Sequence, residues 1–189
     1  MGRARARAAC VTARTPLPCP AGGGGRAGPA NFGLEAERLR SVADAKCRFQ
    51  LAESAMKVVE QGYTALKMGG SPQPVRFVES PGTVKRLVAR VAAVREAIGD
   101  DIDLAVDLHR RFSPTMAVVM VKELEPFGLL FAEEPCHPEN DEPVQMIARS
   151  TAVPIATGER HMTRWGFRRL IEQEMCAILQ PDIRHCGGI

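Results

Sequence analysis

Four acids recur at near-regular intervals in this sequence: Asp107, Glu133, Glu159 and Asp182, separated by 26, 26 and 23 residues. The first three offer hard oxygen donors. Such a set suits Mg²⁺, which takes octahedral oxygen coordination and keeps positions for water or substrate. Zinc suits it less, because no group of cysteines or histidines shares the spacing. His109 follows Asp107 by two residues. At a strand end, period-two geometry places both side chains on one face, and a histidine beside a metal-binding carboxylate is placed for proton transfer. Lys67, in Ala65-Leu66-Lys67-Met68, either steadies a substrate carboxylate or developing enolate, or lies along the rim as a snorkelling lysine. Glu134 and Asp141 read as ordinary helix-capping acids. His137 and His161 are expected in loops over the same mouth, and His185 carries no assigned role.

These residues need a scaffold that gathers strand ends. Leu51, Ala55, Val58 and Val59 form one helical face, and Gly62 stops that helix. Thr64 to Met68 reads as a strand, and Val84 through Ile98 as an amphipathic helix ended by Gly99. Ile102 to Val106 is the next strand. Ser113 and Pro114 form an N-cap and first-turn pair for a helix that stops before Pro126. Strands over 129–132, 154–157 and 177–180 alternate with helices over 141–149 and 163–172. Short apolar strands alternating with helices predict βαβ units and a parallel α/β sheet. One unit per interval of about this length predicts a (β/α) TIM-type barrel, whose active site lies at the C-terminal strand ends. A doubly wound sheet is the runner-up, but no glycine-rich phosphate turn accompanies it.

Residues 1–45 differ in character. Five arginines and no acid precede Glu35, with Pro18, Pro20, Gly22 to Gly25, Gly28 and Pro29 among them. That composition predicts a disordered basic tail. A transit peptide and a basic arm for an anionic partner are the alternatives. The domain proper is expected over 46–189. From Glu35 onward, 20 basic and 22 acidic residues give no electrostatic reason for nucleic-acid binding. No apolar stretch approaches the ~20 residues of a membrane span. Cys10, Cys19, Cys47, Cys136, Cys176 and Cys186 are scattered without a pair motif, as expected of reduced thiols in a cytoplasmic protein.

Several motifs occur in order from Gly62-Tyr63-Thr64-Ala65-Leu66-Lys67 onward. They are Val106-Asp107-Leu108-His109, Lys122-Glu123-Leu124-Glu125-Pro126, Phe131-Ala132-Glu133-Glu134-Pro135, Ala156-Thr157-Gly158-Glu159-Arg160 and Gln180-Pro181-Asp182. His185 and Gly187-Gly188-Ile189 continue the pattern. Residues 46–189 thereby resemble the mandelate racemase/muconate lactonizing enzyme branch of the enolase superfamily, and within it the galactonate dehydratases. The resemblance implies a hydro-lyase that removes the proton alpha to a carboxylate and then the 3-hydroxyl, giving a 2-keto-3-deoxy sugar acid. It implies Asp107, Glu133 and Glu159 as Mg²⁺ ligands and His109 as the acid for the leaving hydroxyl. Asp182 would orient a basic histidine on the next strand. The implied partner is a small sugar acid, with gluconate or arabinonate as alternatives to galactonate, and full-length relatives are expected to be homo-oligomers.

The resemblance also sets expectations about extent. Residues 1–45 do not read as the superfamily's α+β capping domain. The barrel is expected to be partial, ending after about its sixth strand and without the strand that carries the base. A fragment with little activity of its own, or a non-catalytic remnant, follows from that. Leu108 and Arg110 stand where an aromatic residue and a glycine are expected, Gly69 where a polar residue is expected, and His161 follows the Gly-Glu-Arg motif.

Overall fold

The computed structural model describes residues 8–11, 31–71, 74–75 and 77–188, with side chains from residue 45 onward. Strand β1 spans Ala8–Val11 and helix α1 Asn31–Glu60. Then come β2 (Ala65–Gly69), α2 (Pro81–Ile98), β3 (Asp103–Asp107), α3 (Pro114–Leu124), β4 (Phe131–Glu133), α4 (Asp141–Arg149) and β5 (Ile155–Thr157). Short helices α5 (Thr163–Gly166) and α6 (Arg168–Glu172), strand β6 (Ile178–Leu179) and helix α7 (Ile183–Cys186) complete the described elements.

All neighbouring strands are parallel, and their spatial order β1-β2-β3-β4-β5-β6 follows the chain. A doubly wound sheet reverses its strand order at the middle; this sheet never does. It is the singly wound wall of a partial (β/α) barrel. Alternation along β2 and β3 sends Leu66, Met68, Leu104 and Val106 into a core shared with Leu51 and Ala55 of α1, Val91 and Val94 of α2, Met120 and Leu124 of α3, and Val144 and Ile147 of α4. One continuous apolar layer between sheet and helices therefore leaves the polar strand-end residues free for the mouth.

Two departures concern the N-terminal region. A tail disordered through residue 45 does not describe it: α1 begins at Asn31, and β1 pairs in parallel register with β2, Ala8 opposite Ala65 and Val11 opposite Met68. After Gly33 the run Leu34-Glu35-Ala36-Glu37-Arg38-Leu39-Arg40 contains only strong helix formers. The strand has no such local signal. It exists because the edge of β2 offers unpaired backbone groups. The rest of that expectation lies outside the described residues. A third departure is the helix read over 163–172, which breaks at Phe167 into α5 and α6 because that ring turns inward to pack with Leu170 and Met175.

The helix ends follow their caps. Gly62, at φ 86, closes α1, with its N–H donating to the Val59 carbonyl at 2.8 Å. Ser113 Oγ accepts from the Met116 N–H at the start of α3, with Pro114 in the first turn. Ser113→Ala should lower the unfolding free energy by about 1 kcal/mol in urea denaturation. An unchanged midpoint would mean that Pro114 alone starts α3. Among the described residues, no helix is long and apolar enough to cross a membrane.

Candidate active site at the strand ends

Register brings the first acids together. Asp107 ends β3 directly opposite Glu133, which ends β4. Lys67 enters from β2 and places its Nζ 2.5 Å from Glu133 Oε2 and 3.8 Å from Asp107 Oδ2. Glu133 is almost fully buried, so its charge is viable only beside a cation. Lys67 is thus a partner of the carboxylates at the mouth, and not a lysine spread along the rim.

His109 reaches Asp107, but by another route than strand alternation. Strand β3 ends at Asp107, and His109 and Arg110 follow in left-handed backbone at φ 55 and 56. The Asp107 carboxylate folds back over the turn: Oδ1 accepts the His109 N–H at 2.8 Å, and Oδ2 lies 3.1 Å from His109 Nδ1. Glu134, just after β4, is also left-handed at φ 47. Non-glycine residues in this region cost energy and tend to gather where function over-determines them.

The third acid is held differently. Glu159 lies two residues beyond β5, and its Oε1 accepts a short hydrogen bond from Arg110 Nη1. The same nitrogen lies 3.5 Å from Glu134 Oε2. Burial works against the guanidinium charge, but Glu159 and Glu134 outweigh it and raise the Arg110 pKa above its ordinary value. Sequence reasoning gave Arg110 no role. An extra cation between two acidic motifs was the available signal.

Glu134 does not cap the following helix; Asn140 does, accepting from the Glu142 N–H at 3.3 Å. Glu134 instead points inward, 1% exposed, where Oε1 accepts from Thr157 Oγ1 at 2.6 Å and from the Gly158 N–H at 3.0 Å. It ties the end of β4 to the end of β5, the two strands that carry Glu133 and Glu159. Asp141, in the first turn of α4, faces His161 Nε2 at 3.3 Å and Arg169 Nη1 at 3.8 Å. His161 lies in the loop before α5 and is buried there; His137 is half-exposed and pairs with Glu139 at 3.2 Å.

Asp182 turns to its own helix. It caps α7 by accepting the Arg184 N–H at 2.9 Å and binds Arg184 Nη2 at 2.7 Å. The Arg184 contacts hold its carboxyl well below the usual carboxylate range. His185 Nδ1 approaches the Glu159 carbonyl at 3.3 Å, a link across β5 and α7 that the sequence did not suggest.

The donor chemistry fits a hard divalent cation. Asp107 and Glu133 are in register, and basic side chains are already drawn to all three carboxylates. Among the described residues, no group of three His, Cys, Asp or Glu stands close enough to hold a metal ion, and Glu159 is engaged by Arg110.

Residues 50–189 match the enolase C-terminal domain-like family. The chain is similar to a D-galactonate dehydratase from Klebsiella pneumoniae (strain 342), 44% identical over 128 residues, which cover 68% of this chain and 33% of that protein. Another from Variovorax paradoxus (strain S110) is 38% identical over 139 residues, covering 74% of this chain and 36% of that protein. The chain thus spans about a third of the length of these curated relatives. Among solved structures, an enolase-superfamily member from Salmonella Typhimurium superposes with a TM-score of 0.72 at 30% identity, over 75% of this chain and 39% of that one. A mandelate racemase/muconate lactonizing enzyme-like protein from Rubrobacter xylanophilus gives 0.70 at 36% identity, over 75% and 38%.

Proposed function

The chain belongs to the enolase C-terminal domain-like family, and from that premise we propose that it carries the cation-binding and acid half of an acid-sugar dehydratase site. The observation that supports this best is the in-register pair Asp107 and Glu133 with His109 held on Asp107. The substrate class is a sugar acid, with galactonate favoured by the likeness to the named dehydratases.

Asp107, Glu133 and Glu159 would hold Mg²⁺. When bound, the ion would neutralise the negative charge that develops on the substrate carboxylate as the alpha proton leaves, the known pattern of the superfamily. Lys67 adds a second positive charge beside Glu133 and Asp107, where a substrate carboxylate would be steadied. His109 is about half exposed, and Asp107 fixes its Nδ1 side. Nε2 is then the atom that delivers a proton to the departing hydroxyl. Glu134 reacts with nothing; it braces β4 against β5.

A chimera tests the reading. Residues 50–188 of this chain would replace the matching segment of the Klebsiella pneumoniae dehydratase. With Mg²⁺ it should convert galactonate to the 2-keto-3-deoxy acid, and Asp107→Asn should reduce kcat/KM by about 10³ or more. A folded chimera that binds Mg²⁺ but dehydrates only gluconate or arabinonate would sink galactonate as substrate. A folded chimera inert to every sugar acid would sink the dehydratase reading.

A further inference from the structure

We infer that Arg110 is a built-in competitor for the cation site: its guanidinium occupies Glu159, and a divalent cation must displace it to recruit that third carboxylate. The inference rests on the cation-binding role proposed above for Asp107, Glu133 and Glu159.

Arg110 is fixed at both ends. Its backbone N–H donates to the Glu134 carbonyl at 2.7 Å, and its side chain is 15% exposed. Of its two acidic partners, Glu134 is 1% exposed and bound by Thr157 and Gly158, whereas Glu159 is 39% exposed. Glu159 is therefore the partner that can leave. Its departure does not orphan the guanidinium, because Glu134 remains beside Nη1. Glu159 thus has two alternative partners, Arg110 or a cation. The transfer costs one charge-assisted hydrogen bond in a partly solvated setting, not the stranding of a buried charge. A fixed positive charge beside the acids also opposes a dication directly. Arg110 therefore weakens cation binding and makes it depend on where Glu159 points. It is a positioning residue and touches no reacting atom in this scheme.

The test is titration of the intact protein with Mn²⁺ alone, read by calorimetry or by loss of the free-ion electron-spin signal. Arg110→Gly should bind Mn²⁺ about tenfold more tightly than the wild type. Glycine suits the left-handed backbone at this position, at φ 56, so the variant should fold. Arg110→Gln, which keeps length and hydrogen bonding without charge, should gain in the same direction. Neither substitution should raise affinity in a Glu159→Gln background, because the contested carboxylate is gone. Equal Mn²⁺ affinities in the wild type and both Arg110 variants would overturn the competition and leave the cation reading standing. Weaker binding by the variants would likewise overturn it, by showing that Arg110 supports the site. Mn²⁺ binding by none of these proteins at millimolar concentration would overturn the competition together with the cation reading.

Discussion

Glu134→Ala is expected to lower the unfolding free energy by about 2–6 kcal/mol, because it leaves two buried donors without their acceptor at about 1–3 kcal/mol each. The side chain is 1% exposed and serves three donors on two other segments. Its loss strands the Thr157 hydroxyl and the Gly158 N–H, and leaves Arg110 with Glu159 alone. No water-filled route compensates, because Thr157 is itself 1% exposed. Urea denaturation measures the effect, with an unchanged m-value as the sign that the native state is intact. Glu134→Gln retains an acceptor for Thr157 and Gly158 and should cost clearly less. A loss below about 1 kcal/mol for the alanine variant would mean that the brace is solvated and that β4 and β5 are held by their ladder alone.

Gly158→Ala is expected to cost about 2–6 kcal/mol, from backbone strain and overpacking together. Gly158 has φ +138, a region that L side chains rarely adopt. A Cβ there would meet Phe167 Cε1 at 2.9 Å, Gln180 N at 3.0 Å and Gln180 C at 3.2 Å. The phenyl ring could turn aside. The Gln180 backbone cannot, because its N–H donates to the Thr157 carbonyl at 3.0 Å, continuing the β5–β6 pairing. Relief would come by parting the two strands and shifting Glu159, one residue on. Thermal or urea unfolding reports the stability change, and hydrogen exchange at the Gln180 amide reports the parting. An unaffected midpoint and a protected amide would show that the site accommodates a side chain.

Much of the scaffold was legible because its signals are local. Ser113 with Pro114, Gly62 and Gly99 punctuate helices through their own backbone preferences, and the structure ends or starts elements there. Strands over the apolar runs near Leu104, Ala132 and Ile155 were legible because a strand covered on one side by helices must be apolar there. The short β1, Ala-Ala-Cys-Val, was not: nothing in four such residues distinguishes a strand from coil until β2 presents its edge.

By itself, the sequence determined the unit spacing, the parallel α/β class and the placement of Asp107 and Glu133 at successive strand ends, since these follow from chain length per βα unit and side-chain period. Tertiary structure alone decided which charge meets which. Arg110 and Glu159 are 49 residues apart, Lys67 and Glu133 66, and Glu134 and Thr157 23. Two adjacent glutamates, Glu133 and Glu134, have opposite fates because the left-handed turn at Glu134 sends one to the lysine and the other into the β4–β5 brace. Ion pairing depends on distances of a few ångströms set by sheet register, and no local propensity encodes them.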